Sequence, residues 1–450
     1  MSSGSKMFSR AQKIRLSPSV SLFVTNVVLL SLLHLASGYF YKIGFIPEHR
    51  LELPAGVPAF FAQGDDSWRP MLMAADYLKS GKKDSVYEAL FFKQRVKFQY
   101  PPTAILPVMA IQRANIGSWL IPIRILKLMG VLALILYVGS ATAIVLLQPA
   151  ISKGSRFVTG VTIAAAALLF YPMMRGYNLG QLQTVISALF ALAFLCFLSR
   201  KETAAGLLIG FMTLMKPQYV IIILWSVVRK KRRFASAAIL CVTCGCVLSL
   251  LFFGVSNNLD YLRVLRFIGE HGESYYANQS VNGLLNRLLL NGNSTLWTRD
   301  SFPPYRPEVY MGTVITSLLI VASSLALPRK VPTKGSAVDF ALITLACTIA
   351  SPVAWEHHYG VTFPIFVWLF VNSDGMNRVS RIMLSASFLL IGADLSITNL
   401  TTEHSPFNIL QSYVLMGAAV LTLLLYRLAR AKDMNAVSGL AISDARRLYE

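Results

Sequence analysis

AAGLLIGFMTLMKPQYVIIILWSVV, residues 204–228, is apolar enough to cross a bilayer but is broken near its middle by Lys216 and Pro217. Proline lacks an amide proton and its ring clashes with the preceding turn, so a helix stops there. The run is followed by five basic residues, Arg229 to Arg233, which the positive-inside rule keeps in the cytoplasm. The other basic clusters, Lys6 to Arg15, Arg329 to Lys334 and Arg427 to Lys432, obey the same rule only if 204–228 begins and ends on the cytoplasmic side. The segment is therefore expected to be a hairpin of two short helices with Lys216 at its tip.

Outward from the hairpin, apolar runs lie at about 17–41, 118–147, 157–174, 181–199, 234–254, 309–327, 336–350, 358–371, 379–397 and 407–427, each a candidate span on a requirement of about 20 apolar residues. Roughly ten spans plus the hairpin leave both termini inside and two long outer loops, 42–117 and 255–308. Residues 70–80 and 101–112 are apolar but too short to span, and read as helices lying in the interface. The expected organisation is one all-α polytopic membrane domain over 1–432 and a cytoplasmic tail at 433–450. The composition agrees: 55% of residues are hydrophobic and 14% charged, against about a quarter charged in a soluble domain. The net charge of +21 is scattered in short clusters between apolar runs. That suits anionic lipid headgroups and argues against a nucleic-acid surface. The five cysteines fall inside apolar runs, as small hydrophobes do. The 25-residue first run lacks a small-x-small cleavage site, so it is expected to remain as an uncleaved span.

On this topology the unusual polar groups emerge on one side, the non-cytoplasmic one: GDDSW (64–68), FQYPP (98–102), YNLGQ (177–181), MKPQY (215–219), YYANQSVNGLLNR (275–287) and SPVAWEHHY (351–359). Each has an ordinary explanation alone. Asp65 and Asp66 could solvate a loop, Gly180–Gln181 could be a turn, Lys216 could reach toward headgroups, and His357 and His358 beside Trp355 could belong to an aromatic belt. Glu270, His271 and Glu273 share an outer segment with Arg287, but their spacing is not diagnostic of a metal. The gathering of all six segments on one face points to a site. A transporter would instead show polar residues along a path through the bilayer.

The order of these segments resembles glycosyltransferase family 87, membrane enzymes of the GT-C architecture, over about residues 17–427. The resemblance rests on Asp66 followed by AADYLKSG (74–81), Tyr87, YPP (100–102), GQ (180–181), KP (216–217) and SPVAWEHH (351–358). It implies a GT-C-like bundle of about 10 to 12 transmembrane helices in a bacterial plasma membrane. It further implies an enzyme that moves a sugar, mannose by family habit, from a polyprenyl-phosphate donor to a lipid or glycan acceptor on the outer face. The donor is a co-substrate and no cofactor or metal is expected. In that mechanism Asp66, or its neighbour Asp65, is the base. Lys216, His357 or His358, and Arg287 are the candidates for holding the phosphate, Gln181, Asn278, Gln279 and Trp355 for binding sugar hydroxyls or ring faces, and Tyr100 is a further substrate-binding candidate. A polymerase or ligase using a lipid-diphosphate donor, or a lipid or glycan transporter, is the alternative.

Overall fold

The computed structural model describes residues 17–42, 63–81, 84–113, 119–147, 153–326, 336–395, 398 and 405–430. The basic stretch before Ser17, residues 327–335 and the tail 433–450 lie outside them. In chain order the helices are α1 Pro18–Lys42, α2 Trp68–Lys79, α3 Pro102–Arg113, α4 Leu120–Leu146, α5 Lys153–Leu169, α6 Tyr171–Leu179, α7 Leu182–Leu198 and α8 Glu202–Met215. They continue as α9 Val220–Val228, α10 Arg232–His271, α11 Val281–Leu288, α12 Pro307–Leu325, α13 Ala337–Ile349, α14 Phe363–Val371, α15 Arg378–Gly392 and α16 Tyr413–Arg430. The fold is all-α and polytopic. α2 and α3 match the two short helices expected in the first outer segment.

Full-length spans are fewer than the apolar runs suggested. Among the described residues five helices are long and apolar enough to cross a membrane, α1, α4, α10, α12 and the one ending at Arg430, or six if α5 and α6 count as one span bent by 54°. The reason is visible in the sequence. Pro172, Pro217 and Pro364 start new helical segments inside runs that hydropathy alone reads as continuous. α8 has 14 residues, about 21 Å at 1.5 Å per residue, against a hydrocarbon thickness of about 30 Å. Its tip therefore stops short of the far side. Unsatisfied backbone groups are tolerated at such depth only where protein or a water-filled cavity surrounds them.

The hairpin is present. Lys231, just after α9, forms an ion pair with Glu202 at the start of α8 at 2.8 Å, which a straight 27-residue rod would hold about 40 Å apart. α10 then runs parallel to α8, with Gly206 against Phe234, Gly210 against Cys241 and Gly245 against Leu214. The absent side chains let the backbones approach closely. At Gly254 (φ 74°, ψ 174°) α10 breaks, at the end of its apolar run. Its distal part carries Asp260, bonded to Ser85, and Asn257 Oδ1, which accepts from the Val86 amide at 2.8 Å. The distal part of α10 is thereby tied to the segment that precedes α3.

The end of the molecule at the base of the hairpin also holds both extremes of the described chain. Arg229 forms a buried ion pair with Asp339 at 2.6 Å and donates to the Ser324 carbonyl; Ser324 in turn meets Tyr426 near the end of α16. Phe23 of α1 packs on Phe370 at the far end of α14, with ring centroids 4.9 Å apart. The start of α1 and the end of α16 thus sit opposite the polar groups, which gather around the hairpin tip.

Candidate active site

A cavity of about 1180 Å3 opens at that other end, lined by Asp65, Asp66, Tyr100, Gln181, Lys216, Trp355, His357 and His358 among others. Segments remote in sequence converge because two backbones interlock. The amides of Gly64, Asp66 and Ser67 donate to the carbonyls of Asn178, Leu179 and Gly180 at 2.7, 3.0 and 3.3 Å. Gly180 caps α6 with φ 68°, and a Cβ there would land on the Gly64 carbonyl. This explains the glycine before Gln181. Gly180→Ala is expected to destabilise the protein by at least the roughly 1–3 kcal/mol of a strained backbone and to depress activity by displacing Asp66. Thermal unfolding in detergent reads the first effect, and an unchanged melting temperature would contradict the interlock.

The carboxylates differ in environment. Asp65 accepts from Arg69 Nη2 and Nε at 3.1 and 3.2 Å. Asp66 accepts from Gln181 Nε2. The amide of Gln181 is oriented for this, since its Oε1 accepts from Ser67 Oγ at 2.7 Å and lies 3.3 Å from Tyr100 OH. An amide has one acceptor end, so fixing Oε1 turns Nε2 toward the carboxylate. Ser67 Oγ also sits 2.5 Å from Tyr100 OH and accepts from the Leu182 amide. Asp66 is open to the cavity yet recessed in protein, and loss of solvation raises its carboxyl above the ordinary aspartate range. The Gln181 bond opposes this shift, Asp65 adds to it and Arg299 opposes it. A raised aspartate binds protons more readily, as a general base must.

Lys216 lines the same cavity. Its ammonium lies 2.8 Å from Gln183 Oε1 and 2.6 Å from His358 Nε2. An ammonium only donates, so Nε2 of His358 accepts and its proton resides on Nδ1. Among the described residues Nδ1 of His358 and Nε2 of His357 have no hydrogen-bond partner although both rings are buried. Buried polar atoms are normally satisfied, so these two, in a cavity wall, are suited to a ligand.

Asn278, Gln279 and Arg287 do not line the cavity. Asn278 donates to the carbonyls of Glu273 and Pro352 and accepts from the Ala354 amide. Gln279 donates to Tyr276 and Gln411 carbonyls and accepts from the Leu415 amide. Arg287 donates to the Tyr275 and Asn278 carbonyls and to Ser412 Oγ. They fasten the wall that carries Trp355, which pairs with Asn278 in a β-bridge. The acidic and histidine residues weighed as metal ligands are also committed: Glu270 to Arg266 at 2.8 Å, Glu273 to Lys97 at 2.7 Å and His271 to the Pro303 carbonyl at 2.9 Å. Conversely Ser67, Arg175, Gln183 and Glu356 belong to the site or its first support and were not singled out by sequence. Gln183 and Arg175 were hidden inside or beside apolar helices, and Glu356 within the SPVAWEHHY segment itself.

Broken helices thus end at a recessed cavity whose lining includes a carboxylate, Asp66, and the Lys216–His358 pair. A model of glycosyltransferase family 87 matches residues 98–354, more than half of the chain, and the chain belongs to that family. It is similar, at 24% identity over 309 residues, to the polyprenol-phosphate-mannose-dependent alpha-(1-2)-phosphatidylinositol mannoside mannosyltransferase of Mycobacterium tuberculosis, over 65% of this chain and 66% of that one. The chain thus spans just under two thirds of that relative's length. It is also similar to the crystal structure of ArnT from Cupriavidus metallidurans in the apo state, with 14% identity, coverage of 83% of this chain and 74% of that chain, and a TM-score of 0.29.

Proposed function

We propose that the protein transfers a sugar, mannose in this reading, from a polyprenyl-phosphate donor to a hydroxyl of a lipid or glycan acceptor with inversion at the anomeric carbon. The cavity faces the non-cytoplasmic side of a bacterial plasma membrane and both termini face the cytoplasm, where the basic residues around the hairpin base and the end of α16 belong. The mannosyltransferase relative, whose name states dependence on a polyprenol-phosphate-mannose, supports the donor class. The observation that carries the reading is that Asp66 and the Lys216–His358 pair face one cavity.

The chemistry follows. The acceptor oxygen attacks the anomeric carbon from the face opposite the phosphate, its proton passes to Asp66 Oδ, and the bond from that carbon to the phosphate oxygen breaks. Polyprenyl phosphate leaves, its growing charge met by the Lys216 ammonium and the Nδ1–H of His358 through charge-assisted hydrogen bonds. Trp355 offers an apolar face to the sugar ring. The donor is a co-substrate, and this reading assigns no cofactor and no metal. Purified protein given radiolabelled polyprenyl-monophosphate-mannose and polyprenyl-diphosphate-mannose in separate reactions with membrane glycolipid is expected to consume only the monophosphate. Consumption of the diphosphate alone would move the protein to the polymerases and ligases.

A further inference from the structure

Beside the histidines the cavity wall holds a carboxylate to which the transfer chemistry above gives no task. Glu356 is buried, 1% exposed, and lines the cavity. Its Oε2 accepts from Tyr171 OH and its Oε1 from Tyr413 OH, each at 3.2 Å. Its amide donates to the Ala277 carbonyl at 3.0 Å. The carboxylate is thus pinned by two tyrosines and its backbone by a third segment. An ionised carboxylate has about four acceptor directions, of which the tyrosines use two. Arg175, another buried wall residue, lies within electrostatic reach of it. Trp355 and Tyr275 line the same wall with ring centroids 6.5 Å apart in an edge-to-face pair, and His357 adds its unpartnered Nε2.

A strut between two helices needs no charge. A buried carboxyl is costly unless its oxygens are hydrogen-bonded, and two neutral hydroxyls at 3.2 Å satisfy only part of its acceptor capacity. A pinned carboxyl, a guanidinium donor and aromatic faces in one concave wall match a ring bearing vicinal hydroxyls. We infer that Glu356 reads two adjacent hydroxyls of the pyranose carried by the lipid donor, making it a specificity-determining residue, with Arg175 and His357 donating to the same ring. This rests on the donor reading above and adds what recognises the sugar as distinct from the phosphate.

The test separates sugar from phosphate. Full-length protein in detergent is titrated with short-chain polyprenyl-phosphate-mannose and with the same lipid phosphate lacking sugar. The wild type is expected to bind the mannosyl lipid about tenfold or more tightly, the scale of a charged hydrogen bond. Glu356→Gln keeps the shape and can still bond both tyrosines, accepting from one and donating to the other. It is expected to bring the two lipids within about twofold of each other while affinity for the bare lipid phosphate stays unchanged. A variant that retains the full preference, or a wild type that shows none, overturns the inference. A second measurement needs only the wild type: among donors deoxygenated at each mannose carbon in turn, two neighbouring positions are each expected to cost about tenfold, and no loss at any position overturns it. Failure of the wild type to bind even the bare lipid phosphate refutes the donor reading itself and removes this inference with it.

Discussion

Asp66→Asn is expected to lower the transfer rate by about 100- to 10,000-fold, the range a general base contributes, with binding of the polyprenyl-phosphate sugar retained. Asn keeps the size and the contact with Gln181 but cannot take the acceptor's proton. Asp65→Asn is the control: its carboxylate is committed to Arg69, on the exposed rim where an ion pair is worth about 1 kcal/mol or less, so the expected loss is under about tenfold. A pH profile sharpens the contrast. Loss of solvation raises the Asp66 carboxyl, so the base form is lost as pH falls through a value above that of an ordinary aspartate. Gln181 Nε2 favours the charged form, so Gln181→Leu is expected to move this acid limb to still higher pH. A limb that stays in place, or Asp66→Asn with near-normal turnover, would remove Asp66 from the role.

Lys216→Met is expected to cost about 100- to 1,000-fold in kcat, the range seen when a fixed donor to a developing anion is lost. Methionine reproduces the apolar stem as far as Cε, so the hairpin tip retains its packing. What disappears is the ammonium held between Gln183 and His358, and with it the reason for His358 to carry its proton on Nδ1. Product inhibition by free polyprenyl phosphate should weaken in parallel, because the same group holds the leaving phosphate. Lys216→Arg is not expected to restore activity, since a planar guanidinium does not fit the space of a point-like ammonium. Steady-state rates and inhibition constants in detergent check both statements, and an unchanged kcat would show that the phosphate sits elsewhere.

The sequence made the hairpin legible because two strong rules met in 25 residues: proline ends a helix, and five consecutive basic residues fix the side on which the chain returns. The convergence of Asp66, Gln181, Lys216 and His358 on one end followed from that topology. Span count was harder to read. Hydropathy reports that residues are apolar, and half-helices packed in protein are as apolar as full spans, so the breaks before Pro172 and Pro364 and the shortness of α13 did not show. The roles of Asn278, Gln279 and Arg287 were also hidden. A polar residue that satisfies backbone carbonyls behind a wall has the same sequence signature as one that faces the cavity, and only the partners tell them apart. Glu356 shows the opposite failure. A lone charged residue next to two histidines drew less notice than they did, yet it is the one pinned by two tyrosines.

The position of the donor's phosphate relative to Asp66 decides the mechanism. A cryo-electron microscopy structure of the Asp66→Asn protein trapped with a polyprenyl-phosphate sugar answers this directly. The phosphate oxygens are expected within about 3 Å of Lys216 Nζ and His358 Nδ1, with the anomeric carbon between them and residue 66. A phosphate bound away from Lys216, or a sugar held on the side of the phosphate remote from residue 66, would contradict it.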